Sequence, residues 1–169
     1  NQGYRLKGSA IKAGGAFATA DLAGTWHFHS FLGDPGADTA SWTRGTIITN
    51  SSGTITGGSF RNDLNTIVNV NGGSISINSS GVFTGTINFS SGLVVTLSQG
   101  KLDAGKTTGA YVGTDNTGFV LAGESIKAGG AFSTADLAGR WQFHTFWDDP
   151  LLIIVGMERV TVIVNSSGA

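Results

Sequence analysis

Twenty-one consecutive residues occur twice in this chain of 169. The stretch "IKAGGAFATADLAGTWHFHSF" (Ile11 to Phe31) returns as "IKAGGAFSTADLAGRWQFHTF" (Ile126 to Phe146), displaced by 115 residues, with 17 of the 21 positions identical. The match runs on without gaps. Asp34-Pro35 falls on Asp149-Pro150, "NSSG" at Asn50 falls on "NSSG" at Asn165, and "NQGYRLKG" at the N-terminus falls on "NTGFVLAG" at Asn116. A repeat of this kind means that one structural unit is used more than once. The expected organisation is the last strand of a preceding repeat over 1–8, a complete repeat over 9–123 and an incomplete second repeat over 124–169. Both ends then fall inside repeats. The chain reads either as a window on a longer tandem array or as a unit whose ends are completed by neighbouring chains.

Within one period, strand and turn signals alternate at the spacing of a β-meander. Candidate strands are "TWHFHSF", "WTRGTIIT", "TITGGSF", "TIVNV", "GSISIN", "VFTGTINF", "LVVTL", "AYVGT" and "GFVLAG", separated by "NSSG", "NGG" and "SSG". Ile75 and Ile77 alternate with Ser74 and Ser76, and Phe83, Ile87 and Phe89 with Thr84, Thr86 and Asn88. One face of each strand is therefore apolar and the other polar, as in an antiparallel sheet wrapped on a core. "TADLA" at Thr19 is the single helical turn of each repeat. The chain holds 27 Gly and 2 Pro. The expected fold is all-β: an antiparallel meander closed as an up-and-down barrel or folded as a β-sandwich.

Composition bounds the function. Ten Lys+Arg against 11 Asp+Glu give a net charge of −1, and only 12% of residues are charged. No basic patch offers itself to nucleic acid, and so sparse a charge protects poorly against self-association. The absence of cysteine rules out disulfides, thiolate metal sites and thiol nucleophiles. No apolar run is long enough for a membrane helix. The Gly, Ser, Thr and Asn bias points to a secreted protein, extracellular or at a cell surface.

"DLAGTW" followed by alternating aromatics resembles the opening of lipocalin-type (calycin) barrels, where a helical turn leads to a Gly-x-Trp in the first strand. The matching residues are Gly24 and Trp26, repeated as Gly139 and Trp141. The resemblance implies an eight-stranded meander barrel with the Trp closing one end, and a late basic residue over that Trp. Arg5 in one copy corresponds to Val120 in the other, so no basic residue is assigned to that place. With Phe28 and Phe143 these residues form the expected core signature. The repeats also resemble uncharacterised secreted bacterial proteins built from tandem "DLAGTW" domains, which carry no assigned activity.

"GKLDAGKT" (Gly100 to Thr107) spells the phosphate-loop pattern. That site needs a helix N-terminus after the loop, whereas the stretch beyond it, "TGAYVGTDNTGFVL", is glycine-broken, β-branched and aromatic. The motif reads as a hairpin loop with Lys101 and Lys106 facing solvent, and no nucleotide is expected. His27 and His29 share a strand face and could hold a metal, but their counterparts are Gln142 and His144. They read as surface or pore-lining residues. Asp21, Asp34, Asp136 and Asp149 sit at cap or turn signals, where aspartate serves the backbone. No catalytic, cofactor or metal residue is assigned, and the protein reads as a non-enzyme.

The copies part company after Asp-Pro. The first continues "GADTASWTRGTIIT", the second "LLIIVGMERVTVIV". Leu151, Leu152, Ile153, Ile154 and Val155, then Val160, Val162 and Val164, form a strand region in need of cover on both faces. The expected function is a structural, self-assembling β-repeat protein, a fibre or array, with this segment joining copies by strand addition. A calycin-like carrier of a small hydrophobic ligand is the alternative. The third reading is a carbohydrate-binding or adhesin module using exposed aromatics such as Trp42 and Trp147.

Overall fold

Alternating strands with an apolar inner face can only hide that face by curling on themselves or meeting a second layer. The structure, a computed structural model, describes residues 10–12, 14–34, 39–130, 133–149, 154–165 and 167. Segment 1–8, Leu151, Leu152 and Ile153 lie outside the described residues, as do the side chains of Trp141, Phe143, Ile154 and Val155. The chain divides into two units, Asn1–Ala128 and Gly129–Ala169.

In the first unit the sheet curls and closes. Its strands are β1 (Gly24–Asp34), β2 (Thr39–Thr49), β3 (Ile55–Asn62), β4 (Ile67–Ile77), β5 (Val82–Phe89), β6 (Val94–Leu102), β7 (Thr108–Asp115) and β8 (Val120–Lys127). Each pairs antiparallel with the next, and β8 returns to β1 from Trp26↔Lys127 to Gly33↔Val120. The unit is an up-and-down barrel, so the sandwich alternative falls away. β8 runs through residue 123 to Lys127, the partner of Trp26.

Nine candidate strands became eight because "NGG" is no turn. Asn71 is an extra residue where the β4–β5 register shifts between Val70 and Gly72, and "TIVNV" and "GSISIN" run on as one strand. Similar shifts occur at Ile48/Thr49, Phe83/Gly85 and Leu97/Gln99. Bulges and glycine bends are how a flat ribbon acquires the curvature of a small barrel. Gly58, at φ 135°, shows the need. A Cβ there would lie 2.1 Å from the Thr46 carbonyl oxygen. Gly45 is held as tightly, with a Cβ position 2.2 Å from Ser59 O and 2.6 Å from Phe60 Cα.

The inward residues form one core. Ile75, Phe83, Ile87 and Phe89 are buried, while Ser74, Ser76, Thr84 and Asn88 are exposed. Each such burial contributes about 1.5–3 kcal/mol. Phe60 and Phe89 meet edge to face, 4.7 Å between ring centres. The turns are set by "NSSG". Asn50 Oδ1 accepts from Ser52 N and Thr54 N, both 3.0 Å, and Asn78 Oδ1 repeats the pattern with Ser80 N and Val82 N.

The second unit holds a hairpin, β9 (Gly139–Asp149) and β10 (Ile154–Val164). Its pairing runs from Gly139↔Val164 to Asp149↔Ile154, as β1 and β2 run from Gly24↔Thr49 to Asp34↔Thr39. Every partner is displaced by the repeat length, so the sequence repeat is also a repeat of register. A helical turn, Thr134–Leu137, precedes the hairpin as Thr19–Leu22 precedes β1.

Candidate functional site

Closing eight strands leaves a lumen whose width the side chains must fill. Here they do not fill it completely: an apolar cavity of about 70 Å³ remains. Trp26 and Leu22 lie at the end that carries the β2–β3, β4–β5 and β6–β7 turns. Phe60, Phe89 and Leu93 line it near the opposite end. Five hydroxyl-bearing residues, Ser30, Thr43, Thr49, Tyr111 and Ser125, interrupt the wall. Ser30 and Tyr111 share a hydrogen bond of 2.8 Å between their hydroxyls. Burial pushes the Tyr111 phenol up to about 12, Ser30 opposing and the Glu124 charge assisting that rise. Thr49 is 4% exposed, lines the same cavity, and its Oγ1 has no hydrogen-bond partner among the described residues. None of these residues was legible in the sequence as a site. Strand parity places Ser30 inside beside Trp26 and Phe28, whereas Thr49 sits at a register shift that parity does not anticipate.

One end of the lumen is closed by the turn Thr19–Leu22. Asp21 Oδ2 accepts from Ala18 N at 2.8 Å, and the Trp26 indole N–H donates to Leu22 O at 2.7 Å. Lysines bolt this turn to the barrel. Lys106 pairs with Asp21 at 2.9 Å, and Lys127 Nζ donates to Asp21 O at 3.0 Å while lying 5.4 Å from the centre of the Trp26 ring. Lys101 donates to Ser80 O, and both Lys101 and Lys106 stand 5.7 Å from the Phe17 ring. The Lys106 hydrogen bond, followed by that from Ala18, holds the Asp21 carboxyl below its ordinary value.

This corrects two expectations. Lys101 and Lys106 of "GKLDAGKT" do not simply face solvent. The motif ends β6, turns over Asp103–Thr107 and enters β7, and its lysines work as clamps. Asp103 Oδ1 accepts from Thr107 N and Thr108 N at 2.7 Å, and Oδ2 from Gly105 N at 3.2 Å. Burial works to raise that carboxyl, and these donors outweigh it, so it lies below its ordinary value. Secondly, a basic residue does lie over Trp26. It is Lys127, not the position of Arg5 and Val120, and its counterpart Lys12 repeats it in sequence.

His27 and His29 are exposed on the outer face of β1. His29 lies 5.4 Å from the Phe31 ring and 6.2 Å, edge on, from Trp42, with the Arg44 guanidinium 5.8 Å from Trp42. Gly24 begins β1, Trp26 is buried and Phe28 is half-buried against the core. Gly139 begins β9. On β10, Val160 and Val162 are exposed and Val164 half-buried.

No family model matches the chain, and no curated protein matches it, so the likeness to tandem-repeat proteins gains no support. Among solved structures it is similar to a de novo designed fluorescence-activating β-barrel, at 17% identity and a TM-score of 0.51. That match covers 66% of this chain and 99% of the other. A redesigned β-barrel matches at 18% identity and a TM-score of 0.48, over 66% of this chain and 96% of its own. The first likeness agrees with the closed eight-stranded antiparallel barrel that the strand pairing shows, the fold that the calycin resemblance implies.

Proposed function

We propose that this is a non-enzymatic structural β-repeat protein that associates with its own kind outside the cell. Barrel units are joined where the β9–β10 hairpin is completed by barrel-type strands. The supporting observation is the hairpin's register, partner for partner that of β1–β2. In the barrel, β1 is covered by β8 and β2 by β3. The hairpin has the same two edges and neither partner strand among the described residues. Two strands alone are marginally stable in water, and open edges with exposed valines invite pairing. The test is removal of 139–169, which spares every barrel strand. Light scattering and negative-stain imaging should show the whole chain associated and the shortened chain monomeric. A shortened chain that still assembles overturns the reading.

The cavity favours a second reading, a carrier of a small hydrophobic ligand of calycin type. Lys127 over Trp26, bonded back to the helical turn, supports it in the place where that resemblance puts a basic residue. Ligand pockets for drug-sized molecules usually hold about 300–1,000 Å³. The lumen of this barrel is far smaller, which confines the reading to compact ligands.

A further inference from the structure

We propose that the lumen takes a compact, uncharged, mainly apolar molecule with one hydroxyl or similar hydrogen-bonding group, seated with that group against Thr49. The proposal rests on the carrier reading and gives it a ligand class.

Size comes first. A water needs roughly 10–15 Å³ of such space, so a cavity of about 70 Å³ holds about five waters' worth. One six-membered ring with a substituent is of that order, and an extended acyl chain is not. Charge comes second. Among the described residues no Asp, Glu, Lys, Arg or His lines the cavity, so an ion entering it would lose its hydration with no opposite charge in exchange. Tyr111 stays a neutral phenol at any ordinary pH, its hydroxyl already engaged with Ser30.

The polar handle comes third. Thr49 Oγ1 is buried in the cavity wall without a partner. The strand itself does not require that hydroxyl, because the same register position in the hairpin is Val164. Threonine and valine have the same shape, so the oxygen is an addition that packing does not explain. Buried hydroxyls are normally satisfied, and this one, on a residue of the lumen wall, has no partner among the described residues.

The experiment titrates the full chain with phenol, benzene and benzoate, by calorimetry and by shift of melting temperature. The expected result is phenol tighter than benzene by roughly tenfold, the net worth of one hydrogen bond, with benzoate not bound. Thr49→Val should bring phenol down to benzene's affinity with the barrel still folded, and Thr49→Ser should keep the preference. Equal affinity for phenol and benzene in the unaltered chain, or a preference that survives Thr49→Val, overturns the role of Thr49 and leaves a lumen carrier standing. Binding of benzoate overturns the restriction to uncharged ligands. If none of the three binds, the carrier reading fails with the proposal.

Discussion

The chain carries the same two strands twice, once inside a barrel and once without one. β1–β2 and β9–β10 share their register throughout, yet the residues around them live differently. Leu22 in the first helical turn is 4% exposed, whereas Leu137 in the second is 51% exposed. The local sequence makes the turn in both places, through the aspartate that accepts from the backbone N–H three residues earlier, Ala18 for Asp21 and Ser133 for Asp136. Burial comes from the six other strands. What the difference teaches is that "TADLAG" specifies a shape, and only the closed sheet turns that shape into stability.

The two hairpins are also not interchangeable. Val160 holds the register position of Gly45, where a Cβ would press on the backbone of Ser59 and Phe60. β10 therefore cannot take the place of β2 beside this chain's own β3 without moving it. Under the proposed function, the strand that covers β10 must differ from β3 at that crossing, or sit further from it.

The most damaging way to press this comparison is Gly45→Val, which writes the second copy's residue into the first. Overpacking of a side chain typically costs about 1–3 kcal/mol, and a clash with backbone should exceed that. Urea denaturation should show the barrel severely destabilised, while Val160→Gly leaves the barrel transition unmoved. An unchanged Gly45→Val midpoint would mean the two hairpins are exchangeable after all.

A milder pair is Leu22→Ala against Leu137→Ala. The first should cost about 2–5 kcal/mol, as for a buried leucine, and the second less than about 0.5 kcal/mol, as for an exposed position. Equal losses would show that the second turn is covered in solution.

The smallest effect belongs to the clamp. Asp21 has a lowered pKa in the folded chain, so its contribution is present above the ordinary value of 3.8 and is lost as pH falls through the depressed one. Lys106→Ala should lower Tm slightly at neutral pH and not at all once Asp21 is protonated. Asp136 is also lowered, by Ser133 alone and without a lysine, so it provides the matching case in which a distant lysine has no part. The same drop at both pH values would show that Lys106 acts through its stem on Phe17 and not through its charge.

Much of the barrel could be read from alternation and turns, since Ile75, Phe83 and Ile87 point inward as their spacing requires. The misreadings have physical causes. "NGG" looks like a turn because positive φ suits turns and bulges alike, and only pairing with β5 separates them. Lys127 escaped notice because the contact with Trp26 depends on β8 closing against β1, a long-range event with no local signature. Thr49 escaped for a similar reason. A threonine at a strand end looks ordinary until the lumen around it exists.

The closing of β8 on β1 has a consequence for how the chain folds. β1 finds β2 at once, but its second partner, β8, appears only after nearly the whole unit has been made. Local pairs form faster than distant ones. The seven hairpin pairs are therefore expected to form before the β8–β1 seam, which closes the barrel last.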